Sequence, residues 1–264
     1  MHRNTKNRGR IATLSYKWIV RVASVASVLT AWQLIGQSYN TDLFSTPALV
    51  VASFVKLVLT TSFLTDLATT LRDFAIGYVI AAVLGVLLGI AMARWKTLET
   101  ALDPYVNALY STPYVALAPL FVIWFGIGFT ELLAVVILSA VFVILINAFS
   151  GAKNISKAYV ETGRSFGLSG FQLYRKVVLP GALPYIITGL RLGIGRGFVG
   201  VIVAELLVRL DRLGFLLVYY SELLEVAPGI AIAVTLGLIG LLMTEGLKMI
   251  EVRLSPWRRG TTGG

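Results

Sequence analysis

An all-α integral membrane protein with six transmembrane helices is the fold class this sequence predicts, on three observations. Of 264 residues, 57% are hydrophobic and 14% charged, with a mean hydropathy of +0.82; an average soluble domain is about half apolar and a quarter charged. Apolar runs of about 20 residues, enough to cross a hydrocarbon core about 30 Å thick, recur along the chain. Basic residues gather in alternate connecting segments, the pattern of a chain threaded through a bilayer. Lipid offers no partner to an unpaired backbone group, so the runs are helices.

The predicted spans are 18–36, 74–93, 106–126, 130–149, 182–207 and 227–247. They divide the chain into a cytoplasmic tail over 1–17, a transmembrane domain over 18–250 and a second cytoplasmic tail over 251–264. A seventh run, from Pro47 to Leu64, carries Lys56 at its centre, and Thr46-Pro47 is a helix-start pair. It is predicted to be an amphipathic helix at the outer surface. With the amino terminus inside, sixteen lysines and arginines fall on inner segments, against Lys56, Arg72, Arg209 and Arg212 outside. The net charge of +10 is therefore topological and does not point to nucleic acid. The amino terminus is too polar, and the first apolar run too long, for a removable signal peptide. The absence of cysteine excludes a disulfide scaffold and a Cys-ligated zinc or iron–sulfur site.

Within the spans, small residues recur every fourth position at Gly77, Ala81, Gly85, Gly89 and Ala93, and again at Gly189, Gly193 and Gly197. Such ridges let helix backbones approach closely; a hinge is the alternative. In the third span Pro113 and Pro119 each remove a backbone donor and favour a bend, as a helix lining a gated pathway would need. Arg191 and Arg196 fall about 16 and 24 Å beyond Pro180 at 1.5 Å per residue, where a charge must face protein or water. Either they pair with carbonyls or an acid such as Glu245, or they form a positive lining for an anion. Their five-residue spacing sets them about 140° apart. Glu205 is expected near the outer end, as an interface contact.

The polar segment 150–180 interrupts this pattern. Asn154 or Ser156 can cap a short helix running to about Phe166, and Gly167 suits the left-handed residue that ends it. Ser169 and Gln172 have capping-box spacing, so a second short helix is expected toward Val178. Pro180 should end it, and Pro184 should lie in the first turn of the next span.

Glu161-Thr162-Gly163, three more residues, Gly167, nine more, then Val177-x-Leu179-Pro180 resemble the EAA loop of ABC importer permeases. The departures are Thr162 and Gly163 for two alanines and Val177 for isoleucine. From about residue 40 to 255 the chain resembles the branch of permeases serving nitrate, sulfonate, taurine and related solutes. The resemblance implies a type I importer permease fold in which this segment is a coupling helix seated on an ATPase subunit. Glu161, Gly163, Gly167 and Leu168 would be the coupling positions, with Leu179 and Pro180 anchoring the loop to the fifth span. Pro113, Pro119, Arg191 and Arg196 are the candidate pathway residues. The implied partners are two ATPase subunits, a second permease copy and an extracytoplasmic solute-binding protein, in the cell membrane. ATP and Mg would be bound by the ATPase, and this chain would hold no cofactor or metal.

No catalytic residue is expected. Gly163 to Gly167 fits the G-x-S-x-G nucleophile elbow, but the sole histidine is His2, in the tail. Gly195 to Gly200 fits a dinucleotide pattern yet lies within a span with no preceding strand. A phosphate-cradling G-x-x-x-x-G-K-[ST] is absent from the sequence. A stand-alone secondary carrier or channel is the rival reading, although internal repeats typical of carriers are not visible; a purely structural scaffold would not need the EAA spacing.

Overall fold

In a computed structural model of the chain, the described residues are 3–39, 44–208 and 212–254. His2, Arg209, Arg258 and Arg259 lie outside them, as do the side chains of Arg3, Lys6, Arg8, Arg10 and Arg253. Every regular element among the described residues is helical. Among the described residues five helices are long and apolar enough to cross a membrane, or six if one pair of helices bent by 99° counts as one span. Two units are distinguished, Met1–Thr60 with Leu217–Ala233, and Thr61–Leu216 with Val234–Gly264.

The first unit holds α1 (Arg3–Ser38) and α2 (Pro47–Val58). Thr46 accepts a hydrogen bond from the Leu49 amide at 3.3 Å, and Pro47 takes the first helical position, as the Thr-Pro pair predicts. Twelve residues span about 18 Å, too short to cross. The helix stops well before Leu64, because the Thr60 hydroxyl donates to the Leu57 carbonyl at 2.6 Å and the chain restarts as α3 (Thr61–Arg94). Helix α3 thus begins a dozen residues before the predicted span. Its first turns are polar, and helical hydrogen bonding does not require lipid.

The second unit is organised around α6 (Phe129–Lys153), whose buried residues run from Glu131 to Gly151. The two glycine ridges grip it. A Cβ on Gly77 would lie 2.7 Å from a Val136 methyl, and one on Gly85 would lie 2.8 Å from the Val141 carbonyl oxygen. From α9 (Leu179–Val208), a Cβ on Gly189 would meet Asn147 at 2.7 Å and one on Gly193 would meet Ile144 at 2.6 Å. These glycines serve close packing. Ala81, Ala140, Val141, Val143 and Ile144 form the core between the helices, and the Tyr78 hydroxyl donates to the Leu190 carbonyl at 2.9 Å.

The third predicted span, 106–126, was expected to bend at Pro113 and Pro119, and it bends at the first of them only. It is α4 (Lys96–Ser111) followed by α5 (Tyr114–Phe125), bent by 99°. Pro113 sits at the break with φ −70 and ψ 95 as the N-cap of α5, where its missing amide costs nothing. Pro119 lies inside α5 and produces no break.

Glu205 is not the outer contact expected of it. It is 1% exposed and accepts a hydrogen bond from the Gly214 amide at 2.9 Å. Beside it, Arg212 donates through Nε and Nη2 to Asp73 Oδ2 at 3.0 and 2.7 Å. Arg72 holds the other Asp73 oxygen at 2.8 Å, and the Thr70 hydroxyl accepts from the Leu213 amide. This buried ionic cluster ties α3 to the turn after α9. Beyond it lie α10 (Leu213–Glu222) and α11 (Val226–Leu254). In α11 Glu245 pairs with Lys248 at 3.0 Å.

Candidate functional site: a helical corner and a polar wall

After α6 the chain turns into α7 (Lys157–Ser165); Ser156 takes its N-cap position but makes no side-chain cap bond. Its end is a full Schellman closure. Gly167 adopts φ +77, its amide donates to the Arg164 carbonyl at 2.9 Å, and the Leu168 amide donates to the Gly163 carbonyl at 3.0 Å. The left-handed position falls on the expected residue, Gly167. A second one, Gly170 at φ +49, had no partner signal in the sequence beyond being glycine. Ser169 and Gln172 do not form the expected capping box: Ser169 makes no side-chain cap bond, and the Gln172 amide bonds instead to the Ser169 carbonyl at 3.0 Å. With that carbonyl already closing the turn, the hydroxyl is left outward.

Helix α8 (Gly170–Leu173) does not end at Pro180. It passes through a π turn, Tyr174–Val178, into α9, and the span is continuous from Gly170 to Leu207. The Leu179 amide reaches back five residues to Tyr174, and this widened turn absorbs the donor that Pro180 lacks. Pro184 is likewise inside α9 rather than in its first turn. Leu179 packs on the cluster of Ala148, Ala182 and Ile186, so the segment is rigidly continuous with the span it adjoins.

Gly163 is buried between the two arms of the corner. A Cβ there would lie 2.7 Å from Leu173 Cδ1 and 3.2 Å from Val177 Cγ2. The departure from alanine therefore lets the arms close together. The outer side carries three exposed aromatic side chains: Tyr159 at 69%, Phe166 at 82% and Phe171 at 74%. Glu161 is exposed on α7. Behind the corner lies a cleft of about 630 Å³ lined by Arg94, Arg164, Gly167, Leu168 and Tyr174, among others. Tyr174 ties the segment to α3: its hydroxyl donates to the Ile90 carbonyl at 3.1 Å, and the Arg94 guanidinium lies 5.9 Å from its ring centre.

The pathway candidates are distributed differently. Pro113 marks the break and Pro119 does not. Arg191 is half-buried, whereas Arg196 is exposed. The Arg196 guanidinium sits 4.9 Å from the Tyr110 ring centre and donates to its hydroxyl at 3.3 Å. Tyr110 is next to the end of α4, whose exposed residues Asp103, Asn107 and Ser111 recur every fourth position and so share one face. Their hydrogen bonds run along the helix, from the Asn107 amide to the Asp103 carbonyl and from the Ser111 hydroxyl to the Asn107 carbonyl. That polar face was not singled out in the sequence, although its spacing was legible.

Residues 81–256 match the model of the family described as "Binding-protein-dependent transport system inner membrane component". The chain is 30% identical over 253 residues to the aliphatic sulfonates transport permease protein SsuC of Bacillus subtilis (strain 168), covering 94% of this chain and 91% of that protein. It is 34% identical over 191 residues to the taurine transport system permease protein TauC of Escherichia coli (strain K12), covering 72% and 70%. The fold is shared with a chain of the inward-facing MetNI methionine ABC transporter at a TM-score of 0.63 and 18% identity, covering 74% of this chain and 97% of that one. The chain belongs to the family of binding-protein-dependent transport system inner membrane components, the permease subunits of ABC importers.

Proposed function

We propose that two copies of this chain form the membrane pathway of an ATP-driven importer for a small solute bearing an anionic group, of the sulfonate, taurine or nitrate kind. An extracytoplasmic solute-binding protein delivers the solute. Lys157–Val178 docks on one of two ATPase subunits, which bind ATP and Mg and carry out hydrolysis; this chain holds no cofactor and does no catalysis. The transmembrane domain over 18–250 lies in the cell membrane, and the tails 1–17 and 251–264 face the cytoplasm.

The observation that carries the docking role is the corner itself. Gly163 lets two short helical arms close, Gly167 locks the turn, and a π turn joins the second arm to α9 without a joint. Three large aromatic side chains stand exposed on this small element, and such groups dominate the central contacts of protein interfaces. Glu161 adds a charge to the same element. The solute class is supported by the aliphatic sulfonates and the taurine in the names of two relatives and by Arg196 on the pathway wall.

The test is Gly167→Val. A β-branched residue is strained at φ +77, so the corner should open while the spans insert normally. The chain should reach the membrane and assemble, yet solute uptake and solute-stimulated ATP turnover should fall together. Normal uptake with normal stimulated turnover would remove the docking role. Reconstituted alone under an ion gradient, the wild-type chain should move no solute, whereas a secondary carrier would.

A further inference from the structure

We infer that Arg196 and Tyr110 form an anion-binding subsite on the pathway wall, in which the guanidinium edge takes an oxyanion of the solute and the tyrosine ring fixes its orientation. The inference rests on the reading that α4, α5 and α9 line the pathway.

Depth is the first support. Gly197, next in the chain, would place a Cβ 3.3 Å from Ala140, and Ala140 lies near the middle of the membrane-crossing α6. A guanidinium at that level cannot shed its proton and cannot face hydrocarbon without heavy cost. Yet Arg196 is exposed, so what covers it in the bilayer is water, solute or protein.

Charge balance is the second. The partner that holds Arg196 is an aromatic ring with a neutral hydroxyl, and no ion pair to it is formed among the described residues. Arg212, at the turn after α9, is by contrast paired with Asp73 and close to Glu205. Stacking on a ring holds a guanidinium through its face and leaves edge N–H donors that match an oxyanion two at a time.

The surroundings are the third. On α9 the flanking exposed residues are Leu192 and Val199, and a Cβ on Gly195 would meet nothing within 4 Å. One charged donor, set in an apolar wall with open space beside it, is the pattern of a small-molecule site. Helix α4, which carries Tyr110, ends at Ser111, just before the 99° break. A change in that bend would move the Tyr110 ring away from, or onto, the guanidinium.

The test is arginine modification with phenylglyoxal on the full chain in lipid nanodiscs, read by peptide mass spectrometry, with exposed Arg72 as the internal control. Sodium ethanesulfonate should slow modification of Arg196 at concentrations that leave Arg72 unaffected, and neutral dimethyl sulfone or equal sodium chloride should not. Tyr110→Ala should raise the ethanesulfonate concentration needed several-fold, and Tyr110→Phe should raise it less. Modification of Arg196 without protection, or equal protection of Arg72, overturns the subsite and leaves the pathway reading standing. If Arg72 reacts and Arg196 does not react under any condition, Arg196 is covered by protein and both readings fall. Unchanged protection in Tyr110→Ala removes Tyr110 from the subsite.

Discussion

The α3–α6–α9 layer and the corner at Lys157–Val178 both depend on glycine, for opposite reasons. In the layer, glycine is where another backbone must come close: Gly85 faces the Val141 carbonyl and Gly189 faces Ile144 and Asn147. At the corner, Gly167 has nothing within 4 Å and is required by its φ of +77. The first kind builds a part that cannot shift without losing contacts. The second builds a stiff, exposed shape whose aromatic side chains are still unmatched. In a transporter these are the properties of a fixed frame and of a handle.

The comparison breaks most visibly at the frame's ionic anchor. Asp73→Ala should destabilise the chain by about 3–5 kcal/mol, because it strands the buried Arg212 guanidinium. The expected readout is a large fall in folded yield and melting temperature in detergent. A wild-type melting temperature would show that Arg212 is satisfied by Glu205 alone. Next, Gly85→Leu should cost roughly 3 kcal/mol or more, since its Cβ meets backbone that cannot rotate away. Size-exclusion profile and thermal stability report it, and normal values would mean that α3 is free to slide on α6.

The handle should respond differently. Phe166→Ser should leave thermal stability within about 0.5 kcal/mol, as surface changes do, while lowering solute-stimulated ATP turnover of the assembled importer. A loss of stability with normal coupling would move Phe166 from the handle to the frame. The smallest effect is expected from Gly163→Ala. Alanine raises helix propensity by about 1 kcal/mol, and the clash it introduces is with Leu173 Cδ1, a side-chain end that can turn. The two should nearly cancel in melting temperature, so any change in transport would report the altered closure of the two arms.

The frame was legible in the sequence because small residues every fourth position line one face of a helix and let another backbone approach it. Gly77, Gly85, Gly189 and Gly193 were named from spacing and found packed on α6. The helical corner was legible too: Gly167 had a required conformation, and the chain's E-x-G-x-x-x-G spacing carries the family resemblance. The fate of the prolines was less legible. Pro113 and Pro119 looked equivalent, yet one sits at a 99° break and the other inside a helix. A missing donor only permits a bend, and neighbouring helices decide whether it is used. Pro180 was expected to end a helix and instead follows a π turn, a choice between two ways of accommodating the same lost bond.

Polar partners were the least legible. Asp73, Arg212 and Glu205 are up to 139 residues apart and carry no mutual spacing, and Glu205 looked like a surface residue until it was found buried. Tyr110 and Arg196, 86 residues apart, meet only because the broken span returns against α9. By itself, then, the sequence determined the membrane class, most of the apolar helices, their packing faces and the turn at Gly167, since each follows from local composition or from a period of 3.6 residues. The tertiary structure alone decided that Arg212 is neutralised by Asp73 and that Arg196 is held by the Tyr110 ring. Pairing depends on distances between segments, and no local pattern encodes them.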